Sequence, residues 1–201
     1  MTTLDAITEM ASQSALDTLG ALHEDGGTLV LFGPKEPGFW DQFISSPEYG
    51  DGEADPLDRW STRVIEAMAQ VLGARALFPF QSDPYLPFYR WSEESGALWS
   101  SPVRLLVHSR QGLMVSVRGA LWLPQTLTLP APPASPCQTC AAQPCRTACP
   151  VGALTEAGYN TDACHAYLDT PEGAECLNGG CKVRLSCPAG ANYGRLEEQS
   201  A

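Results

Sequence analysis

The sequence predicts an α+β protein in two parts: a small α/β domain over residues 1–128 and a metal-binding domain over residues 137–195. Three observations carry this reading. All eight cysteines fall between Cys137 and Cys187, and none precedes them. Apolar positions in the first part switch between helical and strand periods. The two parts are separated by residues 129–136 (LPAPPASP), an uncharged, Pro-rich run that reads as a stiff linker.

Composition narrows the function. With 44% hydrophobic and 17% charged residues in 201, the chain can fill a core and is not a disordered tail. Twelve Lys plus Arg against 23 Asp plus Glu give a net charge of −11. That balance repels phosphate backbones and anionic lipid, so neither nucleic acid nor a membrane surface is an expected partner. No apolar run approaches a membrane span. The opening residues, MTTLDAITEM, lack a basic n-region and an apolar stretch, so no secretory leader is expected. The expected compartment is the cytoplasm, where thiols stay reduced.

Element by element, Leu4, Ile7, Met10, Ala11, Ala15, Leu16 and Leu19 recur at helical spacing and predict one helix over residues 3–22. His23 to Gly27 is a turn, and Thr28 to Phe32 (TLVLF) reads as a buried strand closed by Gly33-Pro34. The Pro-, Gly- and acid-rich run from Gly33 to Pro56 predicts a long surface loop. Asp55 as N-cap and Pro56 at the first position open an amphipathic helix with an inner stripe of Leu57, Val64, Ile65, Met68, Ala69 and Leu72, ended by Gly73. Ala74 to Phe80 reads as a strand leading into the loop QSDPYLPFYRW. Val103–Val107 and Leu113–Leu123 predict a hairpin about a turn at His108–Gly112. In the cysteine-rich part, helices are expected over Val151–Ala157 and Thr161–Asp169.

The first cysteine run is Cys137-x2-Cys140-x4-Cys145-x3-Cys149-Pro150; the second set is Cys164, then Cys176-x4-Cys181-x5-Cys187-Pro188. Order, count and both Cys-Pro endings resemble the bacterial two-cluster ferredoxin pattern, with two extra residues between Cys140 and Cys145 and longer gaps in the second set. In that pattern three thiolates reach one cluster from a tight loop. The following proline turns the chain so that the fourth thiolate serves the other cluster. The resemblance therefore implies two 4Fe–4S clusters, one held by Cys137, Cys140, Cys145 and Cys187, the other by Cys149, Cys164, Cys176 and Cys181. Three other readings use the same residues: two four-cysteine zinc sites, four disulfides, or a remnant that no longer holds clusters. Zinc ribbons carry two C-x2-C knuckles, and only Cys137/Cys140 has that form.

The order of elements also resembles the epoxyqueuosine reductase family. CRTACPVGAL (145–154) is similar to that family's cysteine-run ending, and CHAYLDT (164–170) to its segment around the lone fifth cysteine. LVHSRQGLMVSVRGALWLP (106–124) resembles instead the cobalamin-processing chaperone related to those reductases, through His108, Arg110, Gly112, Arg118, Gly119, Leu123 and Pro124. These likenesses imply a nitroreductase-like first domain, a ferredoxin-like second domain, and a pocket for cobalamin, with flavin as the second option. His108 and Arg118 are then the candidate cofactor-binding residues. Epoxyqueuosine reductases act on transfer RNA, and a chain at −11 lacks the basic surface for it, so the substrate does not transfer with the architecture.

Other candidates are structural first. His108 sits in a turn, Arg118 among apolar strand neighbours where it pairs with a carboxylate or binds an anionic group, and His165 follows Cys164 on a helix surface. The five tryptophans read as core or loop anchors. The stretch from His23 to Asp58 holds nine carboxylates and one Lys, a solvated face that could also dock a basic electron donor. The expected chemistry is one-electron transfer at low potential, to an acceptor such as a corrinoid at the first domain, which would make the protein a cobalamin- or flavin-linked reductase. The competing expectations are a substrate-free electron carrier that docks on a redox partner protein, and a Cys-rich domain stapled by structural zinc.

Overall fold

Helical spacing at the start of the chain carries a helix only as far as Gln13. In the computed structural model, which describes residues 2–200, α1 (Leu4–Gln13) is capped by Thr3, whose hydroxyl accepts from the Ala6 amide at 3.2 Å. Ser14 ends it, and Ala15 at φ 51° turns the chain into β1 (Leu16–Glu24). The single helix expected over residues 3–22 is thus a helix and a strand. A β-bulge explains the false period. Pairing slips by one residue between Thr18 and Gly20, so Leu16, Leu19 and Leu22 are buried three apart, as they would be on a helix.

β2 (Gly27–Pro34) is buried along its whole length, as the TLVLF run predicts. A long surface loop was expected next, but two short helices form there, α2 (Phe39–Ile44) and α3 (Pro47–Gly50). Phe39 and Phe43 are buried, and Phe39 meets Trp60 edge to face with centroids 5.4 Å apart. Aromatic anchoring outweighs the Pro, Gly and acid content of this segment. Trp60 belongs to α4 (Pro56–Leu72), which buries Val64, Ile65, Met68 and Ala69 and ends at Gly73 at φ 61°. Pro56 sits in the first turn as expected. Asp55 does not cap, because it is left-handed at φ 52° and its side chain makes no cap hydrogen bond.

β3 (Arg75–Leu77) and α5 (Phe88–Glu94) follow. The chain then forms β4 (Leu98–Ser100) and β5 (Leu106–His108), and later β6 (Gly119–Leu123). The main sheet has the order β1-β2-β6-β3, every neighbouring pair antiparallel, with Leu121 opposite both Val30 and Ala76. β5 pairs with β4, not with β6, so the hairpin expected from Val103 to Leu123 does not form. The apolar run 113–123 serves two cores: Leu113 packs with Val103 and Val107, whereas Leu121 and Leu123 pack with Trp60 and Ile65.

That split defines two compact units. One comprises the chain up to Ala97 together with Ser116–Pro132; the other comprises Leu98–Val115 and everything from Pro133 onward. The boundary therefore differs from the expected break at residues 129–136, because residues 98–115 fold with the cysteines. In the second unit, β7 (Leu154–Thr155) and β8 (Gly158–Tyr159) pair where a helix over Val151–Ala157 was expected. Gly152 at φ 60° and Gly158 at φ 133° break the helical path. α6 (Thr161–Leu168) falls where predicted, with Asn160 accepting from the Ala163 amide at 3.0 Å. α7 (Ala174–Gly179) and α8 (Lys182–Leu185) complete the unit around buried Val103, Val107, Leu113, Leu154 and Val183. The protein is thus α+β with small antiparallel sheets. Among the described residues no helix is long and apolar enough to cross a membrane.

Candidate metal centres

Proline sets the local geometry of the thiols. Pro136, Pro144 and Pro188 each open a single 3-10 turn, which fixes Cys137, Cys145 and the Cys187-Pro188 corner. Cys137, Cys145 and Cys187 from these turns, together with Cys140, line one cavity of about 270 Å³. Cys149, Cys164, Cys176 and Cys181 line a second cavity of about 270 Å³, beneath β7, α6 and α7. The chain crosses between them twice. Cys149 lies four residues from Cys145 yet faces the other cavity, and Cys187 leaves Cys181 to join the first set.

Charge is treated differently at the two cavities. Burial pushes the Cys137 thiol up, and the neighbouring Cys187, Cys145 and Cys140 add to the rise. Cys145 is raised in the same way, by burial and then by Cys187 and Cys140. Cys149 goes the other way. Burial opposes its ionisation, but the backbone amides of Val151, Leu154, Ala153 and Gly152 outweigh it and hold the thiol below its ordinary value. The Ala153 amide donates to Cys149 Sγ at 3.2 Å. The Cys164 thiol beside Tyr159, with burial and the other nearby thiols, pushes the Tyr159 hydroxyl up to about 12.

All eight cysteines are unbridged thiols. Among the described residues no three His, Cys, Asp or Glu side chains converge on a point where one ion could sit. A four-thiolate zinc site needs sulfurs only ~3.8 Å apart around a 2.3 Å Zn–S bond. Four thiols around a cavity, with the Ala153 amide directed at Cys149 Sγ in the second set, are a donor set of the kind that would hold an iron–sulfur cluster.

The other expected site residues have structural occupations. His108 is buried in the second unit, and its Nδ1 accepts from the Arg110 and Gln111 amides at 3.4 and 3.3 Å. With Nδ1 accepting, a neutral ring carries its proton on Nε2. Arg118 belongs to the first unit. Its guanidinium pairs with Asp58, donates to Ser61 Oγ at 3.2 Å and lies 5.9 Å from the Phe80 ring centroid. His165 is exposed on α6. Within the acidic stretch, Glu48, Asp51 and Asp58 are engaged by Arg63, Arg59 and Arg118, so part of that face is a paired lattice of charges. Sequence reasoning expected backbone amides near the sulfurs, with Gly152 allowing the approach, but did not single out Tyr159, Lys182 or Arg184, which also line the second cavity.

No protein-family model, curated protein or solved structure matches this chain.

Proposed function

We propose that the cysteine unit is a ferredoxin-like module holding two 4Fe–4S clusters, and that the protein moves single electrons. The observation that carries this is the partition of eight free thiols into two crossed sets of four, each around its own cavity. Such clusters exchange one electron at a time without making or breaking a covalent bond to substrate. The chain's own contribution is to place four thiols around each cavity, to direct the Ala153 amide at Cys149 Sγ, and to pack part of each set against the apolar core of the unit.

Of the two expectations for the acceptor, the substrate-free carrier is the better supported. Of the residues that would mark a corrinoid pocket, Arg118 is engaged by Asp58 with Ser61, and His108 is buried with its Nδ1 turned to the amides of its own turn. The electron donor and acceptor are then partner proteins in a reducing compartment, in keeping with a reading of the chain as cytoplasmic. The nitroreductase-like assignment of the first unit stays a reading of its resemblance alone.

The test is anaerobic purification with iron and acid-labile sulfide analysis, followed by EPR after dithionite reduction. About eight irons and eight sulfides per chain, with interacting signals from two reduced centres, are expected. Stoichiometric zinc, or no metal, would overturn electron transfer and leave the thiols as a structural clamp.

A further inference from the structure

Charge in the cysteine unit is divided along the chain. All seven of its carboxylates lie between Glu156 and Glu198, and its segments 98–115 and 133–155 carry none. The fold gathers these carboxylates near the second cavity. α6 and α7 supply Cys164 and Cys176 to that cavity, and Asp162, Asp169 and Glu175 stand on the same two helices and the C-cap of α6. Tyr167, which also lines the cavity, donates its hydroxyl to the Glu172 carbonyl at 2.8 Å. Glu197 and Glu198 belong to a 3-10 turn that packs on α7. Glu156 and Glu175 are paired with Arg146 and Lys182, whereas Asp162, Asp169 and Glu172 are exposed. The mouth of the cavity is apolar. Val151, Tyr159 and Leu177 line it from three separate segments, yet they are 42%, 47% and 49% exposed. Large apolar side chains left in water around one opening, with charge of one sign beside them, have the anatomy of a protein contact.

We propose that this mouth, centred on Val151, Tyr159 and Leu177 and flanked by Asp162, Asp169 and Glu172, is where a one-electron partner protein docks. The partner presents an apolar patch ringed by Lys or Arg. The inference rests on the two-cluster reading. An electron passes between proteins only where their centres come close, so the partner must sit over a thiol-held site, and this opening is one. The carboxylates steer a cationic ring towards it and repel phosphate backbones and anionic lipid. A second copy seated symmetrically would set carboxylate against carboxylate. One electron crosses the interface, one protein being oxidised as the other is reduced, and no covalent bond forms or breaks.

The experiment uses the anaerobically purified full chain, with a lysine-rich c-type cytochrome as the probe. Carbodiimide coupling is run at about 0.1 M salt, where exposed charges more than about 10 Å apart are largely screened. Peptide mapping should find cytochrome lysines joined to Asp162, Asp169 or Glu172. Stopped-flow reduction of the cytochrome by the dithionite-reduced chain should slow about threefold to tenfold in Asp169→Asn with Glu172→Gln, and again in Leu177→Ser. These side chains are exposed, so the fold is kept. Asp5→Asn with Glu9→Gln, on α1 of the first unit, should leave the rate unchanged. Reduction of a small neutral quinone should be the same in every variant. Cross-links confined to the first unit, unaltered cytochrome rates in both second-cavity variants, or an equal fall in the quinone rate would overturn the inference while leaving eight irons per chain intact. A dimer that Leu177→Ser dissolves would overturn it too, by assigning the patch to a second copy. A preparation without iron and sulfide would instead sink the two-cluster reading, and this inference with it.

Discussion

Gly112 lies against Cys187 so closely that a β-carbon on it would stand 3.0 Å from the Cys187 sulfur and 2.4 Å from the Gly190 amide nitrogen. Its φ of 56° adds a conformation that other residues adopt at a cost. The His108–Gly112 turn, closed by reciprocal backbone hydrogen bonds of 3.0 and 2.9 Å between those two residues, is thus the floor on which the last thiol of the first set rests. Gly112→Ala should cost about 1–3 kcal/mol in strain and displaced backbone. It should also lower occupancy of the first site alone. The check is iron per chain, expected to fall from about eight toward four while the signal of the second site persists.

Crossed ligation makes a separate prediction at Cys149. Proximity in sequence assigns Cys149 to the same site as Cys145, but the structure lines the other cavity with it. Cys149→Ala should therefore remove the centre held with Cys164, Cys176 and Cys181 and leave the centre held with Cys187. Pairwise combination tells the two schemes apart. Cys149→Ala with Cys181→Ala should lose no more iron than either alone, whereas Cys149→Ala with Cys145→Ala should lose nearly all of it. The reverse pattern, with nearly all iron lost from Cys149→Ala with Cys181→Ala and no extra loss from Cys149→Ala with Cys145→Ala, would establish uncrossed sites.

How much of this was legible beforehand depends on which force wrote the signal. The grouping of the thiols about two cavities was implied by the resemblance of their order and Cys-Pro endings to the two-cluster pattern, in which the proline turns the chain from one site to the other. α4 was legible for the same kind of reason, with Pro56 and Gly73 bracketing a clean apolar stripe. β1 was not, since the bulge at Leu19 mimics helical spacing, and local periodicity does not distinguish a bulged strand from a helix. The short helix at Phe39 was hidden because Phe39 and Phe43 pack on Trp60, distant in sequence, and the one at Pro47 because Tyr49 packs on Phe43 and Glu48 pairs with Arg63, both against a loop-like composition.

The buried carboxylate of Glu48 should make the first unit acid-sensitive. Two hydrogen bonds from Arg63, at 2.5 and 3.0 Å, hold its pKa down to about 2 from an ordinary 4.5, against the opposing effect of burial. A carboxyl whose folded pKa is depressed binds its proton more readily when unfolded. Its contribution is therefore complete above about pH 4.5 and lost as pH falls toward 2. Arg63 is half exposed, so the contribution is held to about 1–2 kcal/mol. Urea unfolding of wild type and Glu48→Gln should differ by that amount at pH 7 and converge near pH 2. A gap that stays constant across this range would rule out the ion pair as its source.

Arg118 offers the sharpest separation of structure from ligand binding in the first unit. It emerges just before β6, is largely buried, and is held by Asp58 and Ser61 of α4, so it ties the sheet to the helix that covers it. Arg118→Met keeps an apolar stem but removes the guanidinium that lies over Phe80 and pairs with Asp58. Because Asp58 is about one-third exposed, water can take over part of that role, and the expected loss is about 1–2 kcal/mol, below the cost of breaking a fully buried pair. The variant should unfold at lower urea with its iron content unchanged. Added cobalamin should show the same absorption spectrum with wild type and variant alike. If wild type perturbs that spectrum and Arg118→Met abolishes the change, the guanidinium is binding an anionic group of the corrinoid, and the reductase reading replaces the carrier.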